Sequence, residues 1–204
     1  MIHEIRSYDL KPGSLATYIE RVSKVIEERV AITPLVGYFS TEVGPINRVI
    51  HIWQYEDINQ RNEVRAKAAE GGNWPPATGD LIHKMQSEIC IPAPFLPKLE
   101  INRNIGPLFE LRSYTYPAGA IPKVIDAWAT KIDARMELSE PVGIWSTEFG
   151  GLNKWMHMWS YKSYDQRAEA RKKFPEIGWP PASGVSALEQ ETSLLNAMPF
   201  SPVQ

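Results

Sequence analysis

One domain is written twice along this chain. "EIRSY" at 4–8 returns as "ELRSY" at 110–114, and "GYFSTEVGPIN" at 37–47 returns as "GIWSTEFGGLN" at 143–153. "HIWQYEDINQRNEVR" at 51–65 returns as "HMWSYKSYDQRAEAR" at 157–171, so all three pairs share an offset of 106 residues. "WPPATG" from 74 and "WPPASG" from 179 are 105 apart, which places one lost residue between the helix before them and that loop. A register held over such a span is a tandem duplication, and it constrains the fold: what one half builds, the other builds too. The 204 residues divide into a repeat at 1–97, a linker at 98–106 and a repeat at 107–204. The boundary lies in the proline-rich "PAPFLPKLEINRNIGP", where periodicity fails.

Each copy shows the same order of elements. Residues 2–10 and 109–116 alternate as strands. Residues 14–32 place Leu15, Tyr18, Ile19, Val22, Val25, Ile26 and Val30 on one helical face, and Ile121, Val124, Ile125, Trp128, Ile132 and Met136 repeat it. Strands at 35–43 and 47–55 form a hairpin around "GPI", with "GGL" in the second copy. A more polar helix follows from about 58 to 70, opened by Asp57 with Gln60 and by Ser163 with Gln166, the residues of a capping box. A last strand is expected near 84–91 and 188–195. The order β-α-β-β-α-β is the ferredoxin-like unit. Two such units each leave one sheet face uncovered, so the expected fold is α+β, with two ferredoxin-like repeats packed sheet to sheet as an α+β barrel within one chain.

Strand parity sorts side chains onto faces. Ile5 and Ser7 share one face of the first strand with Ile50 and Ile52 of the third, while Glu4, Arg6, Tyr8, His51, Trp53 and Tyr55 share the other. These six recur unchanged as Glu110, Arg112, Tyr114, His157, Trp159 and Tyr161. An apolar floor suits the helices, so the Ile50/Ile52 face is expected beneath them and the polar-aromatic face is expected between the two sheets. Buried ionisable groups cost several kcal/mol unless paired. Two readings follow: a satisfied architectural network, or a cavity holding a small hydrophobic or aromatic ligand. On the second reading, any acid–base chemistry falls to His51 and His157 with Glu4 and Glu110, and Arg6, Tyr8, Trp53, Tyr55 and their counterparts line the ligand.

The remaining features narrow the classes. His51 and His157 are the only histidines that recur; no H-E-x-x-H, H-x-H or cysteine cluster accompanies them, so no metal is expected. Cys90 is the single cysteine and has Leu195 as its counterpart, which argues against a shared nucleophile and for a reducing compartment. P-loop, G-x-S-x-G and dinucleotide fingerprints are absent, so no cofactor is expected. A net charge of −2, without a basic stripe among the aromatics, gives no platform for nucleic acid. "MIHEIRSYDL" alternates from its start, and no apolar run reaches a membrane span, so a cytoplasmic protein is expected. Arg61 with Arg65, and Arg167 with Arg171, share a helix face at i and i+4, either solvated or as an anion clamp at the cavity mouth. The Trp-Pro-Pro loops read as stiff helix-to-strand junctions, with Trp74 and Trp179 at most at the rim of a cavity.

His-x-Trp-x-Tyr followed by spaced arginines and a downstream tryptophan, after an opening Glu-x-Arg-x-Tyr strand, resembles the pattern of the NIPSNAP family. The resemblance covers both halves. It implies the dimeric α+β barrel, here closed by two repeats of one chain, with further self-association left open. The superfamily it implies includes small monooxygenases, dehydratases and isomerases as well as members of no settled activity. Animal NIPSNAP proteins are tied to mitochondria and to partner recruitment, and their N-terminal targeting extension is not seen in this sequence. The alternative to a ligand-binding protein is a non-catalytic structural or protein-interaction module whose polar inner face specifies the repeat pairing.

Overall fold

The computed structural model describes residues 1–98 and 100–204. The first repeat runs β1 (Ile2–Leu10), α1 (Leu15–Ser23), α2 (Ile26–Val30), β2 (Leu35–Val43), β3 (Arg48–Tyr55), α3 (Ile58–Glu70) and β4 (Ile82–Pro92). The second runs β5 (Leu108–Thr115), α4 (Ile121–Ala129), α5 (Ile132–Met136), β6 (Pro141–Phe149), β7 (Lys154–Tyr161), α6 (Tyr164–Lys172) and β8 (Glu189–Ala197).

Within each repeat the strands take the antiparallel order 4-1-3-2 of the ferredoxin-like unit. The two sheets then join at both edges. β2 pairs with β8 through Phe39 opposite Ala197, and β4 pairs with β6 through Ile91 opposite Ser146. Eight strands close into one barrel in the order β1-β3-β2-β8-β5-β7-β6-β4. Closure removes every unpaired strand edge, which a lone repeat would carry on both sides. No described helix is long and apolar enough to cross a membrane.

The single helix expected over 14–32 is two. The Val25 and Lys131 N–H groups donate to the carbonyls of Val22 and Trp128, three residues back, and the tightened turn redirects the chain at the same point in both copies. Apolar spacing survives the break, because Val22 and Ile26 stay buried four residues apart, so periodicity conceals it. The turn changes which side chain enters: Val30 is exposed, while Arg29 beside it is 3% exposed. The caps form as expected, Asp57 and Ser163 accepting from the N–H of Gln60 and Gln166.

Parity grouped the strand residues correctly and assigned the groups to the wrong sides. Ile5, Ile50, Ile52, Phe39 and Cys90 meet Phe109, Leu111, Met156, Met158 and Trp145 inside the barrel. The face bearing Glu4, Arg6, Tyr8, His51, Trp53 and Tyr55 lies outside, under the helices of its own repeat, where Tyr8, Trp53 and Tyr55 join Tyr18, Val22 and Ile26. The physical reason is solvation. A small eight-stranded barrel is filled by side chains and admits no partners for charge. The helical layer, by contrast, carries arginines that reach the sheet.

Candidate functional site

Each repeat holds a charged cluster built on its first strand. Glu4 on β1 is fully buried, and Oε1 accepts from Arg6 Nη1 at 2.7 Å, Arg61 Nη2 at 2.6 Å and Ser87 Oγ at 2.7 Å. Arg6 is two residues along the same face, Arg61 comes from the first turn of α3 and Ser87 from β4. Burial opposes the charge, but Arg61, Arg6 and Ser87 together outweigh it and hold the Glu4 carboxyl at about 2. In the second repeat Glu110 accepts from Arg167 Nη2 at 2.6 Å and Arg112 Nε at 3.1 Å; it too is depressed, against its own burial. These carboxylates are spent on guanidinium groups. Arg6 and Arg112 also bond the Tyr8 and Tyr114 hydroxyls, each at 2.6 Å.

The histidines take a different partner from the expected carboxylate. Trp53 Nε1 donates to His51 Nδ1 at 2.6 Å, and Trp159 Nε1 donates to His157 Nδ1 at 2.7 Å. A ring that accepts at Nδ1 and is neutral carries its proton on Nε2. Burial, with Arg6 adding to it, lowers His51 to about 3; burial with Arg112 and Arg135 lowers His157 well below its ordinary value. Both rings are therefore neutral at physiological pH and offer an Nε2–H donor, and in both that buried nitrogen lacks a partner among the described residues. The tautomer follows from the indole donor. Tyr38 stacks on His51 at 4.6 Å, whereas in the second repeat Trp128 lies on His157 at 4.8 Å.

Above this surface in the first repeat is a cavity of about 330 Å³, floored by Arg6, Tyr8 and His51 and walled by Trp74 and Pro75 of the Trp-Pro-Pro loop. Trp74 stands edge-on to Trp53 at 5.9 Å, so the loop is both junction and wall. Arg65 lines this cavity while Arg61 is bonded to Glu4, so the i, i+4 pair divides between two tasks. The second repeat has a cavity of about 600 Å³ in the corresponding place, lined by Tyr114, Trp128, His157 and Trp179.

Two buried arginines escaped the sequence reading. Arg29 donates to the Tyr55 hydroxyl at 2.8 Å and lies 4.3 Å over Trp53; Arg135 donates to Tyr161 at 3.0 Å and lies 3.7 Å over Trp159. Their signal was present, since Arg29 and Arg135 recur at the offset of 106 within otherwise changed surroundings. Burial lowers both, yet neither has a carboxylate of its own. Among the described residues no group of three or more metal-ligating side chains converges.

A duplicated ferredoxin-like fold, closed into one barrel with a Glu-Arg-Tyr and His-Trp-Tyr face under each helical layer, defines a tandem α+β barrel protein. The NIPSNAP family model matches residues 3–97 and 109–202, and the chain belongs to the NIPSNAP family. It is 33% identical over 215 residues to human Protein NipSnap homolog 3A, spanning 100% of this chain and 86% of that protein. The Dictyostelium discoideum Protein NipSnap homolog is 29% identical over 83% of this chain and 74% of its own length. A crystal structure described as a putative monooxygenase from Lactobacillus acidophilus covers 96% of this chain and 93% of its own with a TM-score of 0.67. At 11% identity that likeness extends to the fold alone.

Proposed function

We propose that the protein binds a small molecule with a flat aromatic or hydrophobic body, held outside the barrel in the cavity between the β1–β3 surface and the helices and Trp-Pro-Pro loop of the first repeat. The observation that carries this reading is a walled cavity with aromatic sides and a buried His51 Nε2–H that has no partner among the described residues. Small-ligand sites combine that apolar lining with a few convergent polar groups. The neutral His51 serves as a hydrogen-bond donor that orients a ligand acceptor, not as a base, because its Nδ1 is occupied by Trp53 and its Nε2 carries the proton. Glu4 keeps the guanidinium layer in place. The free, buried Cys90 is consistent with a reducing compartment such as the cytoplasm.

Saturation-transfer NMR with a small aromatic panel tests the reading. Wild-type protein is expected to transfer magnetisation to flat bicyclic compounds, and Trp74→Ala to weaken binding about tenfold or more, the order of one lost stacking wall. Binding that ignores Trp74→Ala places the ligand elsewhere.

A further inference from the structure

Resting on the cavity reading above, we infer that the ligand of the first repeat is an oxyanion, a carboxylate or phosphate carried on an aromatic body, and that the second repeat does not bind it. Charge favours an anion. Arg6, Arg29, Arg61 and Arg65 surround a single carboxylate, Glu4, which Arg6 and Arg61 already engage. A buried guanidinium without its own counter-ion leaves a site for an anion.

Unspent donors favour it as well. Arg29 is 3% exposed and lines the cavity, and its Nε and Nη1 have no partner among the described residues. His51, 2% exposed, lines the same cavity, and its Nε2 likewise has no partner among them. Acceptor oxygens are what these atoms lack, and an ionised acceptor makes bonds about twice as strong as a neutral one.

The repeats differ at just this point. Nε is without a partner among the described residues in both arginines, but Arg135 uses Nη1 on Ser139 at 2.8 Å, whereas Thr33 at the matching position bonds the carbonyl of Gln54 and leaves Nη1 of Arg29 unused. Phe174 lies 4.7 Å over Arg135 and shuts it from the second cavity, whose lining does not include it. Ala68 and Ala69 occupy the corresponding stretch of α3, and Ala69 lines the first cavity. The second cavity is the larger and keeps Arg112, His157 and Arg171 on its lining, but its buried arginine is covered, whereas Arg29 faces the first cavity.

Isothermal titration calorimetry with 2-naphthoate, 2-naphthyl phosphate, and the neutral 2-naphthamide and 2-naphthol tests this. The expected result is one site per chain and at least about tenfold preference for an anion over the neutral pair; the stronger of the two anions identifies the head group. Arg29→Met is expected to level the four compounds. Because Arg29 is buried and that variant can lose its fold, Ala69→Phe, an exposed change beside Ala68, the counterpart of Phe174, that sets a ring on the cavity lining, is expected to remove anion preference with thermal stability intact. Equal binding of neutral and anionic probes overturns the anion assignment and leaves the cavity reading standing. Two equivalent sites per chain overturn the asymmetry on which the assignment rests. No binding by any of the four, with the protein folded, overturns both readings.

Discussion

Glu4 and His51 set the behaviour of the site at the scale of single residues. Glu4 sits fully buried between two guanidinium groups, so Glu4→Gln leaves Arg6 and Arg61 facing no charge. Breaking a buried pair from one side costs about 3–5 kcal/mol, and urea denaturation should show a loss of that order. Glu20→Gln, removing one partner of the exposed Lys24 pair, should leave the midpoint unchanged. Acid acts through both residues. His51 is neutral in the fold down to about pH 3 but takes a proton in the unfolded chain below about 6.5, so acidification favours unfolding across that window. Glu4 adds its own loss as pH falls from the ordinary carboxylate range towards about 2. Stability measured from pH 7 to pH 4 should therefore fall steadily. Burial lowers His3 and His157 as well, so His51→Phe should reduce the slope between about 6.5 and 5 and leave the share of the other two rings. A slope that His51→Phe leaves unchanged would mean that His51 is not a buried neutral ring.

At the scale of elements, bulges decide how the strands fit. β2 and β6 each slip register just before Gly37 and Gly143. A Cβ on Gly143 would run into the Trp145 indole, and one on Gly37 would stand 2.5 Å from the Phe39 ring. Both rings point into the barrel, so Gly143→Ala should cost roughly 1–3 kcal/mol through overpacking, read as a lowered urea midpoint; unchanged stability would contradict the bulge. These elements also mark how far the sequence could be read. Strands, caps, repeat and face groupings were legible because alternation and the offset of 106 record them directly. The side to which each face points was not: parity is symmetric, and only the filled interior of a small barrel decides it. Nor was the break after α1 or the inward turn of Arg29. Val30 offers the better hydrophobic period, while the burial of its neighbour depends on Tyr55 and Trp53, which come from a strand beyond it in sequence.

The whole molecule is a pseudo-symmetric barrel whose two seams, β2–β8 and β4–β6, both join one repeat to the other. Fragments 1–97 and 107–204, co-expressed, should recover a 1:1 complex by size-exclusion chromatography, since each supplies the edges the other lacks; separate monomers would contradict closure by strand exchange. Duplication also lets the copies diverge without loss of the frame. The barrel interior serves both repeats in common, whereas each outer cavity answers only to its own helices and loop. Phe174 in one copy and Ala69 in the other therefore alter the cavities while the strands below stay the same. The central claim is that the polar face looks outward and holds the ligand there. A crystal structure of the protein with 2-naphthoate tests it most directly. Density is expected between Trp74 and Tyr8, with the carboxylate within hydrogen-bond reach of Arg29 and His51 Nε2; density inside the barrel among Ile5, Ile50 and Met158, or over His157 in the second repeat alone, would overturn it.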